Sequence, residues 1–176
     1  MIVSQIDEVN RLHFPEIVFL AETKNKKCYM NKLKMKLQFD NLFVVDPVGR
    51  SGGLAVMWKK DVQVKRVLYT NFTIELCIED LSKKISWWLV CIYACTDDAT
   101  REQQWQIIRE RKGIWGSRWL IAGDMNDIVS NGEKWGGISR PERSFKQFRD
   151  FISTNELIDI GFEGKPWTWS NNWDNE

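Results

Sequence analysis

Apolar residues along this chain follow two alternating rhythms, one near helical spacing and one continuous or every second residue. Ile2, Ile6, Val9 and Leu12 recur near every fourth position until Pro15 interrupts, and the apolar run "EIVFLAE" follows. That order predicts a helix, a turn and a buried strand. In "CYMNKLKMKLQF" Met30, Leu33 and Leu37 share one helical face and lysines the other, before the strand-like "NLFVVD". After "VGRSGG" come "LAVMW", "VQVKRVLY", "FTIELCI" and "WWLVCIYA", four β-branched or aromatic runs joined by short polar links. Such links predict antiparallel neighbours. "DDATREQQWQIIRERKG" predicts a helix capped by Asp97 or Asp98 and ended at Gly113, after which "RWLIAGD" returns as a buried strand. "PERSFKQFRDFISTNEL" predicts a last helix, with Pro141 near its first turn and Phe145, Phe148, Phe151 and Ile152 on one face.

Largely antiparallel strands broken by a few long helices imply an α+β sandwich, two sheets packed together with helices outside, rather than a parallel doubly wound sheet. At 176 residues and 43% hydrophobic, the chain is expected to form one domain, residues 1–176, without repeats or linkers. The pattern has no strand before its first helix and no closing element after "WTWSNNWDNE", so both ends read as cut. Lysine plus arginine number 25 against 24 aspartate plus glutamate, which leaves no global field to recruit nucleic acid. Any such contact must be local. No charged-then-apolar leader opens the chain, and its apolar runs fall far short of the ~20 residues that span a bilayer. The expectation is a soluble, intracellular protein without membrane contact. Cys28, Cys77, Cys91 and Cys95 form no CxxC pair and are expected as buried thiols rather than zinc ligands or disulfides.

Chemistry concentrates where apolar runs end in polar groups. In "WLIAGDMNDI" a carboxylate, Asp124, stands at the end of a strand, where backbone pairing holds it while its head reaches solvent. Asn126, two positions on, projects to the same side if the chain stays extended, and its amide can donate to a phosphate oxygen. A strand-to-loop turn built from Gly, Asp and Asn is the plain alternative. "FLAETK" places Glu22 after another apolar run, as a hard oxygen ligand suited to Mg²⁺ or as a local cap or ion pair. "VGRSGG" offers Gly52 and Gly53, whose amides can approach an anion, with Arg50 and Ser51 as further donors; a hairpin turn is the bare alternative. Tyr93, near the end of "VCIYA", can aim its phenol at a phosphate or simply pack. Trp167 and Trp169 can stack on bases or belong to the core, the better assignment for most of the ten tryptophans. The basic stretches "REQQWQIIRERK" and "RPERSFKQFR" read first as solvated helix faces, with contact to a phosphate backbone as the alternative. His13, the single histidine, has no nucleophile near it in sequence and receives no catalytic role.

Taken in order, "FLAETK", "GRSGGLAVMW", "CIYA", "LIAGDMNDI" and "GFEGKPWTWSN" resemble the motif series of the endonuclease/exonuclease/phosphatase superfamily, with its deoxyribonuclease-I-like fold. From about residue 4 to residue 176 the chain looks most like the endonuclease domain of plant non-LTR retrotransposons and reverse-transcriptase-like proteins. The resemblance implies a four-layer α/β/β/α sandwich of two mainly antiparallel mixed sheets, incomplete here. It implies one Mg²⁺ or Mn²⁺ ion at the strand ends and phosphodiester hydrolysis. Carried over by motif, Glu22 is the metal-binding glutamate, Tyr93 the phosphate-contacting tyrosine, Asp124 the aspartate that orients or deprotonates water, and Asn126 the asparagine at the scissile phosphate. DNA, or RNA, is the implied partner, and a nuclear location follows by analogy alone. Met125 stands where relatives carry an aromatic residue.

The family's first-strand Trp-Asn motif, its Arg-Leu-Asp segment and its terminal Ser-Asp-His motif have no counterpart here. Rates lowered by orders of magnitude are therefore expected. Three functions follow: a metal-dependent endonuclease, a catalytically inactive fragment of a degenerate retroelement with at most weak nucleic-acid affinity, and a phosphatase of lipids or small molecules.

Overall fold

Alternating apolar residues on two sheets build the core of one compact unit of the chain. The computed structural model describes residues 3–49 and 51–161. Strand β1 (Ile17–Ala21), β2 (Asn41–Val45) and β3 (Leu54–Trp58) form one sheet in the order β1-β3-β2, antiparallel throughout. Strand β4 (Gln63–Tyr69), β5 (Thr73–Asp80), β6 (Ile85–Tyr93) and β7 (Trp119–Asp124) form the second, in the order β4-β5-β6-β7, with only the β6–β7 pair parallel. Because strand side chains alternate, Leu54 and Val56 of β3 meet Ile74, Leu76 and Ile78 of β5 and Leu89 and Cys91 of β6 in one cluster. Ile17, Phe19, Ala21 and Tyr93 pack against it. Each fully buried side chain of this size contributes about 1.5–3 kcal/mol relative to exposure, so the cluster is what joins the sheets.

The opposite face of the first sheet presents Ala55 and Met57. These pack with Ile6 of helix α1 (Val3–His13), with Met30 and Leu33 of helix α2 (Lys27–Lys36), and with Leu37 and Phe39 beyond it. The apolar stripe read from "CYMNKLKMKLQF" is therefore the face that covers this sheet. The architecture is the α+β sandwich of two mainly antiparallel sheets with helices outside. Chain contacts define two compact units: the described residues of Met1–Tyr93 with Ile114–Asp124, and those of Ala94–Gly113 with Met125–Glu176. In the second, helix α3 (Asp98–Trp115, its last two residues in the first unit) opens at Asp97, whose Oδ1 accepts the Thr100 N–H at 2.9 Å and the Thr100 hydroxyl at 2.6 Å. These bonds, the hydroxyl's first, hold the Asp97 carboxyl below its ordinary range. Helix α4 (Lys146–Thr154) follows a short 3-10 turn, and its Phe148 and Phe151 stack on Trp105 at ring separations of 5.7 and 4.2 Å.

Several expectations are corrected. "LAVMW" and "VQVKRVLY" are not paired neighbours, since the chain crosses between sheets after Trp58. Helix α3 does not end at Gly113 but runs on to Trp115, because Trp115 is buried and the left-handed Gly116 (φ 68°) supplies the stop. Trp115 donates its Nε1–H to Glu75 at 2.9 Å, which with the Thr73 hydroxyl at 3.0 Å accommodates a carboxylate that is fully buried. The strand "RWLIAGD" is not buried: β7 pairs with β6 alone among the described residues and is largely exposed. "EIVFLAE" is likewise only half-buried. Trp88, Trp105 and Trp115 are core residues, whereas Trp135 is 60% exposed. No described helix is long and apolar enough to cross a membrane.

The cysteines differ in the same way. Cys91 is buried, Cys77 and Cys95 are half-buried and Cys28 is exposed on α2, all as free thiols. Burial pushes the Cys91 thiol up to about 12. Thiol titration of the native protein should therefore give a fast phase that Cys28→Ser abolishes, with Cys91 reacting only on unfolding. Fast labelling of Cys91 in the folded protein would contradict this packing.

Candidate functional site

The parallel alignment of β6 with β7 makes Tyr93 and Asp124 register partners at the last rung of the ladder. Neighbouring strands lie about 4.8 Å apart, and paired residues share a face, so the phenol and the carboxylate leave one sheet end side by side. The rung before it pairs Ile92 with Gly123. A β-carbon on Gly123 would stand 2.0 Å from the Ile92 carbonyl oxygen, and its φ of 137° lies where L side chains are strained. Glycine is needed here for Asp124 to reach its place. Tyr93 packs its ring against the inter-sheet cluster, and its backbone N–H donates to the Phe72 carbonyl at 3.0 Å.

Glu22 follows β1 directly and adopts a left-handed backbone, φ 51°. Ala21, the residue before it, packs against the same cluster as Tyr93, so the ends of β1 and β6 rest on one apolar mass. Gly52 donates its N–H to Glu22 Oε1 at 3.2 Å, and Lys24 Nζ lies 3.5 Å from Oε2. The amide expected to approach an anion thus meets one supplied by the chain itself. Thr23 and Lys24 donate their N–H groups to the Gly53 and Gly52 carbonyls at 3.1 and 3.0 Å, continuing the β1–β3 pairing beyond the strands. The glycine run is the β2–β3 hairpin connection, with Gly52 and Gly53 at φ 75° and 86°. Ser51 closes a turn on Val48.

Asn126 belongs to the second unit. Of the two geometries open beyond Asp124, extended or turning, the chain takes the turn: it bends at Asn126, where φ is 48°. Asparagine tolerates this left-handed conformation better than most residues. Its Nδ2 donates to the Ala94 carbonyl at 2.6 Å, which fixes the amide plane.

Asp127 follows at once, a group that the motifs do not single out. The Asp127 side chain is 2% exposed and bound by Arg101 Nε at 3.2 Å and Arg140 Nη1 at 2.9 Å. "REQQ" and "RPERS" are therefore not simply solvated: Arg101 is buried and Arg140 partly so. The one available signal was Asp127 itself, a third polar residue after an apolar run.

Among the described residues, no three His, Cys, Asp or Glu side chains converge as a ligand cage. Glu22 and Asp124 are the carboxylates at the strand ends. His13 is exposed at the end of α1. Arg50, Trp167 and Trp169 lie outside the described residues.

No protein-family profile and no curated protein sequence matches the chain. Solved structures do match in fold. The human Nocturnin catalytic domain with bound sulfate aligns at a TM-score of 0.60 and 15% identity, over 86% of this chain and 61% of that one. An endonuclease/exonuclease/phosphatase family protein from Bacteroides thetaiotaomicron aligns at 0.63 and 11%, over 86% and 59%. A variant of the 3′ phosphatase NExo from Neisseria, bound to a product DNA hairpin, aligns at 0.59 and 11%, over 86% and 65%. The chain spans about three fifths of the length of these structures. It has the endonuclease/exonuclease/phosphatase fold.

Gly123→Ala should lower stability by at least about 2 kcal/mol, through overpacking against Ile92 and a strained backbone. Thermal unfolding measures this, and an unchanged midpoint would contradict the close approach of β7 to β6.

Proposed function

We propose that this chain is a divalent-metal-dependent phosphodiesterase that nicks DNA in a retrotransposon-derived protein. The observation that carries the reading is the register pairing of Tyr93 with Asp124 at the end of β6 and β7. The strand bearing Glu22 rests on the same apolar cluster. Support for a nucleic-acid substrate comes from the motif series that resembles plant retrotransposon endonuclease domains, and from a fold neighbour solved with a DNA hairpin.

Each residue has a task its chemistry suits. Glu22 is the ion ligand: its carboxylate supplies hard oxygen, is 36% exposed in its side chain, and keeps acceptor capacity beyond the Gly52 amide and Lys24. One carboxylate is enough for Mg²⁺ or Mn²⁺, which retain most of their waters. When bound, such an ion neutralises charge on the phosphoryl group and the leaving oxygen. Asp124 aligns a water for in-line attack and accepts its proton, held in place by the β7 backbone. Tyr93 donates its phenol O–H to a phosphate oxygen. Asn126 is assigned to the phosphate by its motif.

Supercoiled plasmid incubated with the protein and Mg²⁺ should be nicked, and EDTA should abolish the nicking. Asp124→Ala should lower the rate by about 10² to 10⁴-fold, the range for a positioned acid or base. Glu22→Gln should raise the Mg²⁺ concentration required. Folded protein that nicks nothing, or nicking indifferent to Asp124→Ala, would overturn the reading.

A further inference from the structure

The proposed reaction gives Asp127 no task, yet it is the most enclosed carboxylate next to the candidate residues. Arg101 and Arg140 bind its two oxygens, and the Ile128 N–H donates to Oδ1 at 2.9 Å. Arg101, its side chain 4% exposed, also donates from Nη1 to the Cys95 and Thr96 carbonyls at 2.9 and 3.0 Å, and from Nη2 to Asp98 Oδ1 at 2.5 Å. Arg140 is anchored in turn: its N–H donates to Asn131 Oδ1 at 2.9 Å, and its guanidinium to the Ser144 carbonyl at 3.1 Å.

These bonds tie two segments together. One runs from Ala94 to Asp98 and the other contains Asn126 to Ile128. Asn126 spans the pair, with its backbone joined to Asp127 and its amide held on the Ala94 carbonyl. Ala94 in turn precedes Cys95, which Arg101 grips. Burying charges is a costly way to stabilise a fold, since desolvation offsets much of the attraction. What a bridged carboxylate provides is fixed direction, because each of its oxygens accepts from a different, separately anchored guanidinium. Asparagine adopts the left-handed backbone of Asn126 readily, so what the bridge adds is the direction of the segment that carries it.

We propose that Asp127, bridged by Arg101 and Arg140, is a positioning residue that sets the direction of the Asn126 amide. The assignment rests on reading Asn126 as a phosphate contact. Asp127 touches no reacting atom and acts through its neighbour.

A double-mutant cycle tests this. Asp127→Asn and Arg140→Gln are each made alone and with Asn126→Ala, and kcat and KM for plasmid nicking, thermal unfolding and the Asn126 side-chain amide ¹H–¹⁵N signal are measured. Arg140 is 29% exposed, so its variant keeps the fold if Asp127→Asn does not. Each single variant should lower kcat at least tenfold with little change in KM, shift the Asn126 amide signal, and cost nothing further once Asn126 is alanine. Arg140→Lys should recover part of the loss. Equal losses with and without Asn126, or an unmoved amide signal, would overturn the proposal. Nicking indifferent to Asp124→Ala would sink the functional reading instead, and the amide signal of Arg140→Gln would still decide the positioning.

Discussion

How closely β7 runs beside β6 is the constraint on which the candidate site depends. Parallel neighbours cannot be joined by a tight turn, so the chain leaves Tyr93, makes the long helix α3 and returns at Trp119 to lay β7 in register. At the Ile92–Gly123 rung there is no room for a β-carbon. That absence lets the next residue, a carboxylate, stand beside the last residue of β6. The glycine before Asp124 is a packing requirement as much as a turn residue. It converts a sheet edge into a place where two polar heads leave the apolar interior together.

Glu22 and Asp124 are placed differently from Glu75 and Asp127. Glu22 and Asp124 stand at strand ends with access to solvent, where an ion or a water can reach them. Glu75 and Asp127 are buried and met by directed donors, Thr73 and Trp115 for the first, two arginines for the second. Burial without such partners would be prohibitive. Solvent-facing carboxylates suit chemistry with dissolved partners, and enclosed ones suit fixing the elements that carry it.

Much of this was legible in the sequence, for reasons that can be named. Met30, Leu33 and Leu37 recur at helical spacing and do cover a sheet; Phe148 and Phe151 recur likewise and do stack on Trp105. Strand β5 alternates Ile74, Leu76 and Ile78 toward the other sheet, as period two requires. Three of the misses share a cause: each needed a partner distant in sequence. A short polar link after Trp58 looks the same whether the chain turns back or changes sheet. Gly113 reads as a stop unless one knows that Trp115 has Glu75 to meet. Arg101 reads as a solvated cation until Asp127, 26 residues on, is beside it. The bend at Asn126 was legible as one of two alternatives, because Gly, Asp and Asn serve both strand ends and turns.

Manganese titration followed by NMR decides whether these strand ends hold an ion, because Mn²⁺ broadens signals near its binding site whether or not the protein turns over. The backbone amide signals of Glu22, Tyr93 and Asp124 should broaden together at low Mn²⁺, and Glu22→Gln should abolish this without unfolding the protein. Broadening confined to other surfaces, or unchanged in Glu22→Gln, would contradict ion binding there.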